Sequence, residues 1–158
     1  MSYKLKMKKF IPILSLFILQ SSFISAQFAT DSVKLTITQL FEAMIESDGV
    51  KLKNCFTDSA FLQTITQDKD GKDIVKNEEV AAFVKKISSI QKGIADERIV
   101  FGVVKVDGPL AIVWAPYKFF RNGVYSHCGV NSFQLVRLNN QWKIQYLIDT
   151  RRKGNCAE

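Results

Sequence analysis

Residues 107–150 read DGPLAIVWAPYKFFRNGVYSHCGVNSFQLVRLNNQWKIQYLIDT. Asp107-Gly108, Asn122-Gly123 and Asn139-Asn140 cut this stretch into runs rich in β-branched and aromatic residues. The first two are dipeptides that type I′ hairpin turns favour, because both central residues need positive φ; the third is a weaker version of the signal. Together with the run before Asp107, they give four β-rich segments at 98–106, 110–120, 124–138 and 141–150. The pattern predicts a long antiparallel meander.

Upstream of this stretch the period is helical. Thr30, Asp31 and Ser32 are N-cap residue types, and beyond them Val33, Ile37, Leu40, Phe41, Met44 and Ile45 recur at helical spacing. Asp48-Gly49 breaks that helix and starts a shorter one carrying Leu52, Cys55 and Phe56. Phe61 to Thr66 reads as a strand and Asp68 to Lys72 as a polar turn. A third helix, from about Glu78 to Gly93, buries Val80, Phe83, Val84 and Ile87. Three helices followed by a strongly curved meander is an α+β plan, with the helices packed on one sheet face.

The N-terminus has a separate role. Lys4, Lys6, Lys8 and Lys9 precede an apolar run from Phe10 to Leu19, and Ser21, Ser22, Ser25 and Ala26 follow. This is the pattern of a cleavable export signal over residues 1–26, with cleavage expected after Ala26 and a domain over 27–158. The apolar run is about half of what a membrane span needs, so no stable membrane insertion is expected after cleavage. The mature chain is therefore expected in the periplasm or secreted. The formal charge of +7 comes from 22 basic and 15 acidic side chains; removing the four lysines leaves 18 against 15, or +3. So small an excess gives no strong pull toward nucleic acid, which is not expected as a partner. Arg151-Arg152-Lys153 reads as a solvated end or an anion contact.

Three cysteines, Cys55, Cys128 and Cys156, leave at least one thiol unpaired, and Cys128 with Cys156 is one pairing open to them. There is no CxxC motif, no Cys/His cluster and no phosphate-binding loop, so neither a metal nor a cofactor is expected.

If each turn is a two-residue loop, counting outward sets the register, because strand side chains alternate faces. Lys118 then pairs with His127, Trp114 with Asn131 and Ile112 with Phe133. Across the last hairpin Phe133 pairs with Tyr146, Asn131 with Ile148 and Leu135 with Ile144. Across the first, Phe101 pairs with Trp114 and Val103 with Ile112. The helix-covered face then carries Ile99, Phe101, Val103, Ile112, Trp114, Phe133, Ile144, Tyr146 and Ile148. Two polar groups, His127 and Asn131, fall among them, as in a small-molecule pocket. The expected ligand-binding set is Trp114, His127, Asn131, Phe133, Tyr146, Phe101 and Ile148, and the expected ligand a small hydrophobic or aromatic molecule. Val100, Val104, Val113, Ala115, Tyr117, Val130, Ser132 and Val136 form the outer face. That face is apolar enough to expect a homodimer across it. This register puts Asp149 opposite Val130, on the other face from His127. A bulge in any hairpin would reverse such assignments.

The order of elements resembles the nuclear transport factor 2-like superfamily, the cone-shaped or SnoaL-like fold, and is similar to small exported bacterial members including the lumazine-binding group. The matching residues are Glu46-Ser47-Asp48-Gly49, Leu52, Phe56, Asp58 and Ala60-Phe61. They continue with Trp114-Ala115-Pro116-Tyr117, Asn122-Gly123, His127-Cys128-Gly129, Trp142-Lys143-Ile144 and Asp149. The resemblance implies a hydrophobic cone open at one end. Some members are isomerases or dehydratases with an acidic or histidine base, and others only bind ligands or partners. The ketosteroid-isomerase-like members carry an Asp base at the place that Gln63 and Thr64 fill here, and neither is a base. Three readings follow: a non-catalytic ligand-binding module, a dimerising accessory domain with a filled cone, and an isomerase, dehydratase or hydrolase using His127, the only histidine.

Overall fold

The computed structural model describes residues 14–156, with side chains from Gln27 onward. The basic start of the expected export signal lies outside the described residues. Among the described residues no helix is long and apolar enough to cross a membrane.

Helix α1 (Leu14–Glu46) buries the expected stripe of Val33, Ile37, Leu40, Phe41 and Met44. It ends at Ser47, whose φ of 55° reverses the chain, and the Asp48 carboxylate then caps α2 (Gly49–Asn54) by accepting from the Val50 and Lys51 amides. Strand β1 (Phe56–Gln67) begins at Phe56 rather than Phe61, and the polar turn leads into β2 (Asp73–Glu78), which pairs antiparallel with it. Helix α3 spans only Val80–Ser88. The remaining strands are β3 (Ala95–Ile99), β4 (Val103–Asp107), β5 (Leu110–Arg121), β6 (Val124–Leu138) and β7 (Gln141–Thr150).

The sheet order is β2-β1-β7-β6-β5-β3, with β4 also on β5. The architecture is the expected α+β plan, with two corrections. β1 joins β7 in parallel, so the sheet is not wholly antiparallel. The expected strand 98–106 is two strands, β3 and β4, both lying along β5. The break faces Pro116, which has no amide hydrogen to donate and only accepts, from the Val100 amide at 2.9 Å. The first turn is centred on Gly108-Pro109, one residue later than the expected Asp107-Gly108, so Asp107 pairs with Leu110 and Val103 with Trp114 instead of Ile112, and Phe101 does not pair with Trp114.

The larger corrections come from two bulges. Asn122-Gly123 forms its two-residue turn as expected, so Phe120 pairs with Tyr125; Phe119 then pairs with His127, and Ser126 is left over. Leu135 pairs with Ile144, but Gln134 pairs with Tyr146, leaving Gln145 over. Each extra residue reverses the parity of everything beyond it. Asn131 therefore pairs with Ala115 and Asp149, Phe133 with Val113 and Leu147, and Trp114 with Ser132. Val113, Ala115 and Tyr117, expected outside, are buried inside, whereas Ile112 and Trp114 are exposed. The core sits between this inner face and the helices, where the Phe133 ring meets Phe41 edge-on.

Candidate functional site

At one end of the core the helices and sheet separate and leave a cavity of about 310 Å³. Its apolar wall comes from α1 through Leu40, Phe41 and Met44, and from α3 through Phe83 and Ile87. Phe119 and Leu147 close the sheet side. Polar residues gather where the inner faces of β3, β6 and β7 converge: Glu97, His127, Asn131, Asp149 and Arg151.

Two of the seven expected binding residues, His127 and Asn131, line this cavity. The other five do not. Phe133 lies in the solid core, fully buried. Trp114 is on the outer face, 50% exposed, because of the bulge at Ser126. Tyr146 and Ile148 alternate with the cavity residues Leu147 and Asp149, and the bulge at Gln145 turns them away; Tyr146 stacks on Phe61 instead. Phe101 packs against the core with the Lys34 ammonium 5.7 Å above its ring.

The same bulges bring in residues that the two-residue-turn register placed elsewhere. Asp149 lies on the Asn131 side of the sheet, not the opposite one. Its Oδ1 accepts from the Thr64 hydroxyl at 2.6 Å, and its Oδ2 from Arg151 Nε at 2.8 Å and the Tyr117 hydroxyl at 3.1 Å. A carboxyl group so thoroughly bonded is held in one position as part of the structure. Thr64 is one of its donors. Tyr117 reaches it by lying across Gly129: a Cβ there would come within 2.8 Å of the Tyr117 ring and 1.7 Å of the Thr150 carbonyl oxygen. Burial and the Asp149 charge hold the Tyr117 hydroxyl far above its ordinary pKa. It is a donor, not a base.

Glu97 is the other carboxyl group. Its Oε1 accepts from Asn131 Nδ2 at 2.6 Å, and no described cation pairs with it. Burial pushes its pKa up to about 7; the Asn131 hydrogen bond pulls the other way, and the Asp149 charge adds to the rise. His127 rests between the rings of Phe119 and Tyr117, with Nδ1 bonded to the Ser126 hydroxyl at 3.0 Å. Burial first, and Arg151 second, lower its pKa, so the ring is neutral at pH 7. Among the described residues no hydrogen bond joins His127 to Asp149, although both line the cavity.

Just beyond the cavity, Cys128 is bonded to Cys156. The link pins the chain end to β6, where the Cys128 and Arg152 amides and carbonyls also pair. Cys55 stays a buried thiol with its pKa pushed up to about 11 by burial, which makes it inert.

Glu97 was the residue least visible in the sequence, since Ala95-Asp96-Glu97-Arg98 looks like a charged surface turn. A signal for the correct inner face of β5 did exist. Lys118, the only charge inside that strand, belongs to the even-numbered set with Trp114, and it marks that set as outward.

Comparison with known proteins rests on structure alone, because no family model and no curated protein matches the chain. A nuclear transport factor 2-like protein of unknown function from Shewanella baltica superposes with a TM-score of 0.60 at 12% identity, covering 78% of this chain and 94% of that one. A cystatin-like-fold domain of unknown function from Nostoc punctiforme gives 0.61 at 18%, covering 80% of each chain. A third, from Streptomyces avermitilis, provisionally named a dehydratase of the nuclear transport factor 2-like family, gives 0.60 at 16%, covering 81% and 99%. The chain has the nuclear transport factor 2-like fold.

Proposed function

We propose that this domain is an exported binding module that holds a small, largely apolar molecule in its cone, without catalysis. The observation that carries the reading is the cavity's construction. It has apolar walls and, on one side, polar groups already fixed by Asn131–Glu97 and Asp149–Arg151 bonds. Small-ligand sites are built in this way, and 310 Å³ is at the small end of their range. Export is supported by the basic and apolar start of the chain and by a disulfide that oxidising compartments favour. A homodimer is supported by the outer face, where Leu110, Ile112 and Trp114 are exposed side by side on β5.

Native mass spectrometry of gently purified mature protein tests the reading. A reproducible added mass of small-molecule size, lost in Asn131→Leu, is the expected result. A bare protein that also takes up nothing from a metabolite mixture would overturn it and favour an accessory domain.

One observation favours a second reading. A carboxyl with a pKa near 7 in an apolar cavity is suited to proton transfer at neutral pH, with Glu97 in the role first given to His127. Turnover of the bound molecule, abolished in Glu97→Gln, would establish it.

A further inference from the structure

Most charges lining the cavity are spent within the protein. Lys86 pairs with Glu78 at 3.4 Å, and Arg151 with Asp149. Arg121 differs. It occupies the last residue of β5, on the same side as Phe119 and Tyr117, and lines the cavity while remaining exposed. Among the described residues no carboxylate pairs with it. Its neighbour on β3 across the ladder is Ala95, so nothing from that strand competes for the guanidinium. Arg98 is held by Asp96 and lies over the Phe120 ring.

Glu97, which accepts from Asn131 but pairs with no described cation, lies two residues further down the same strands. Glu97 pairs with Phe119, and Phe119 in turn with His127, forming one row across the sheet. At the usual strand rise this row is roughly 7 Å from the Arg121 row. The lining near these rows includes the apolar side chains of Ala95, Phe119, Ile90 and Ile94 beside Ser126. The cavity thus has an open cation at its mouth, apolar side chains near it, and the Glu97–Asn131 pair further in.

We propose that the ligand is a small amphipathic acid, an aromatic or alicyclic carboxylate whose anion meets Arg121 and whose far polar group meets Glu97 and Asn131. The proposal rests on the binding-module reading above and narrows it to a ligand class. Arginine is suited to this task because its planar fork takes a carboxylate with two parallel hydrogen bonds. An apolar body between two polar ends then fixes the ligand's direction in the cone.

Three probes of one shape test it: 4-hydroxybenzoate, its neutral amide 4-hydroxybenzamide, and the cation 4-hydroxybenzylamine. Binding is measured by calorimetry and ligand-observed NMR on the mature protein and on Arg121→Gln, whose melting temperature checks the fold. The expected result is that the acid binds about tenfold or more tighter than the amide. Arg121→Gln should erase that preference by weakening the acid about tenfold or more while weakening the amide far less. Equal binding of acid and amide, preference for the amine, or no binding by any probe would each overturn the ligand class. The broader reading is judged separately, because native mass spectrometry of a co-purified ligand does not depend on which probe binds.

Discussion

Replacing Glu97 with glutamine should make the protein more stable at alkaline pH and leave it nearly unchanged in acid. The carboxyl titrates near 4.5 when freely hydrated and near 7 in the folded cavity. Between those values the folded state holds more proton than the unfolded one, so stability falls as pH rises. The contribution is fully present below about pH 4.5 and is lost as pH passes through about 7. At about 1.4 kcal/mol per pKa unit, the rise corresponds to roughly 3 kcal/mol, and most of it falls between pH 5 and 8. Glutamine keeps the Oε1 acceptor for Asn131 Nδ2 but has no proton to lose. The surrounding groups, Asp149, Arg151, His127 and Tyr117, are present in both proteins and cancel to first order. Urea unfolding of wild type and Glu97→Gln at pH 5 and pH 8 supplies the comparison. The stability difference should move by roughly 2–3 kcal/mol in the variant's favour between the two pH values. A difference that does not change with pH would mean that Glu97 ionises as it does in water. The account of Glu97 as a carboxyl group held away from solvent in the cavity would then be wrong.

Three other perturbations reach different parts of the argument. Gly129→Ala should cost about 3 kcal/mol in urea unfolding, because its Cβ meets the Thr150 backbone and the Tyr117 ring; an unperturbed midpoint would contradict the close approach. Cys156→Ser should cost roughly 3.6 kcal/mol, the loop entropy of a 28-residue separation, and added reductant should have no further effect on that variant. Trp114→Glu should turn a dimer into a monomer by sedimentation while leaving probe binding intact, since Trp114 is outside the cone. A wild-type protein that sediments as a monomer at every concentration would remove the outer face from the account.

Much of the fold was legible because local chemistry dictates it. The α1 stripe from Val33 to Met44, the reversal at Asp48-Gly49 and the Asn122-Gly123 and Asn139-Asn140 turns all appear where the residues require them. β2 was not legible. Asp73 to Glu78 alternates weakly and is held at the sheet edge by β1 alone, so pairing rather than pattern makes it a strand. The site was half legible. His127 and Asn131 reach the cavity, but their expected neighbours Trp114, Tyr146 and Ile148 do not. Apart from Lys118, alternation offered little, because both faces of β5 are apolar: Val113 and Ala115 face the core, while Ile112 and Trp114 face out. Only the long-range pairing of β5, β6 and β7 decides where an extra residue is left over.

Those two left-over residues also bear on how a cone of this kind changes over time. Ordinary substitution alters a pocket one side chain at a time. Removing Ser126 or Gln145 would instead close a bulge, leaving Phe119 paired with His127 and Gln134 with Tyr146, and Asn131 and Asp149 on the inner face. The helices, turns and strand order would be untouched. The two bulges thus hold slack in the hairpins, so that a codon lost there leaves the lining of the cone in place.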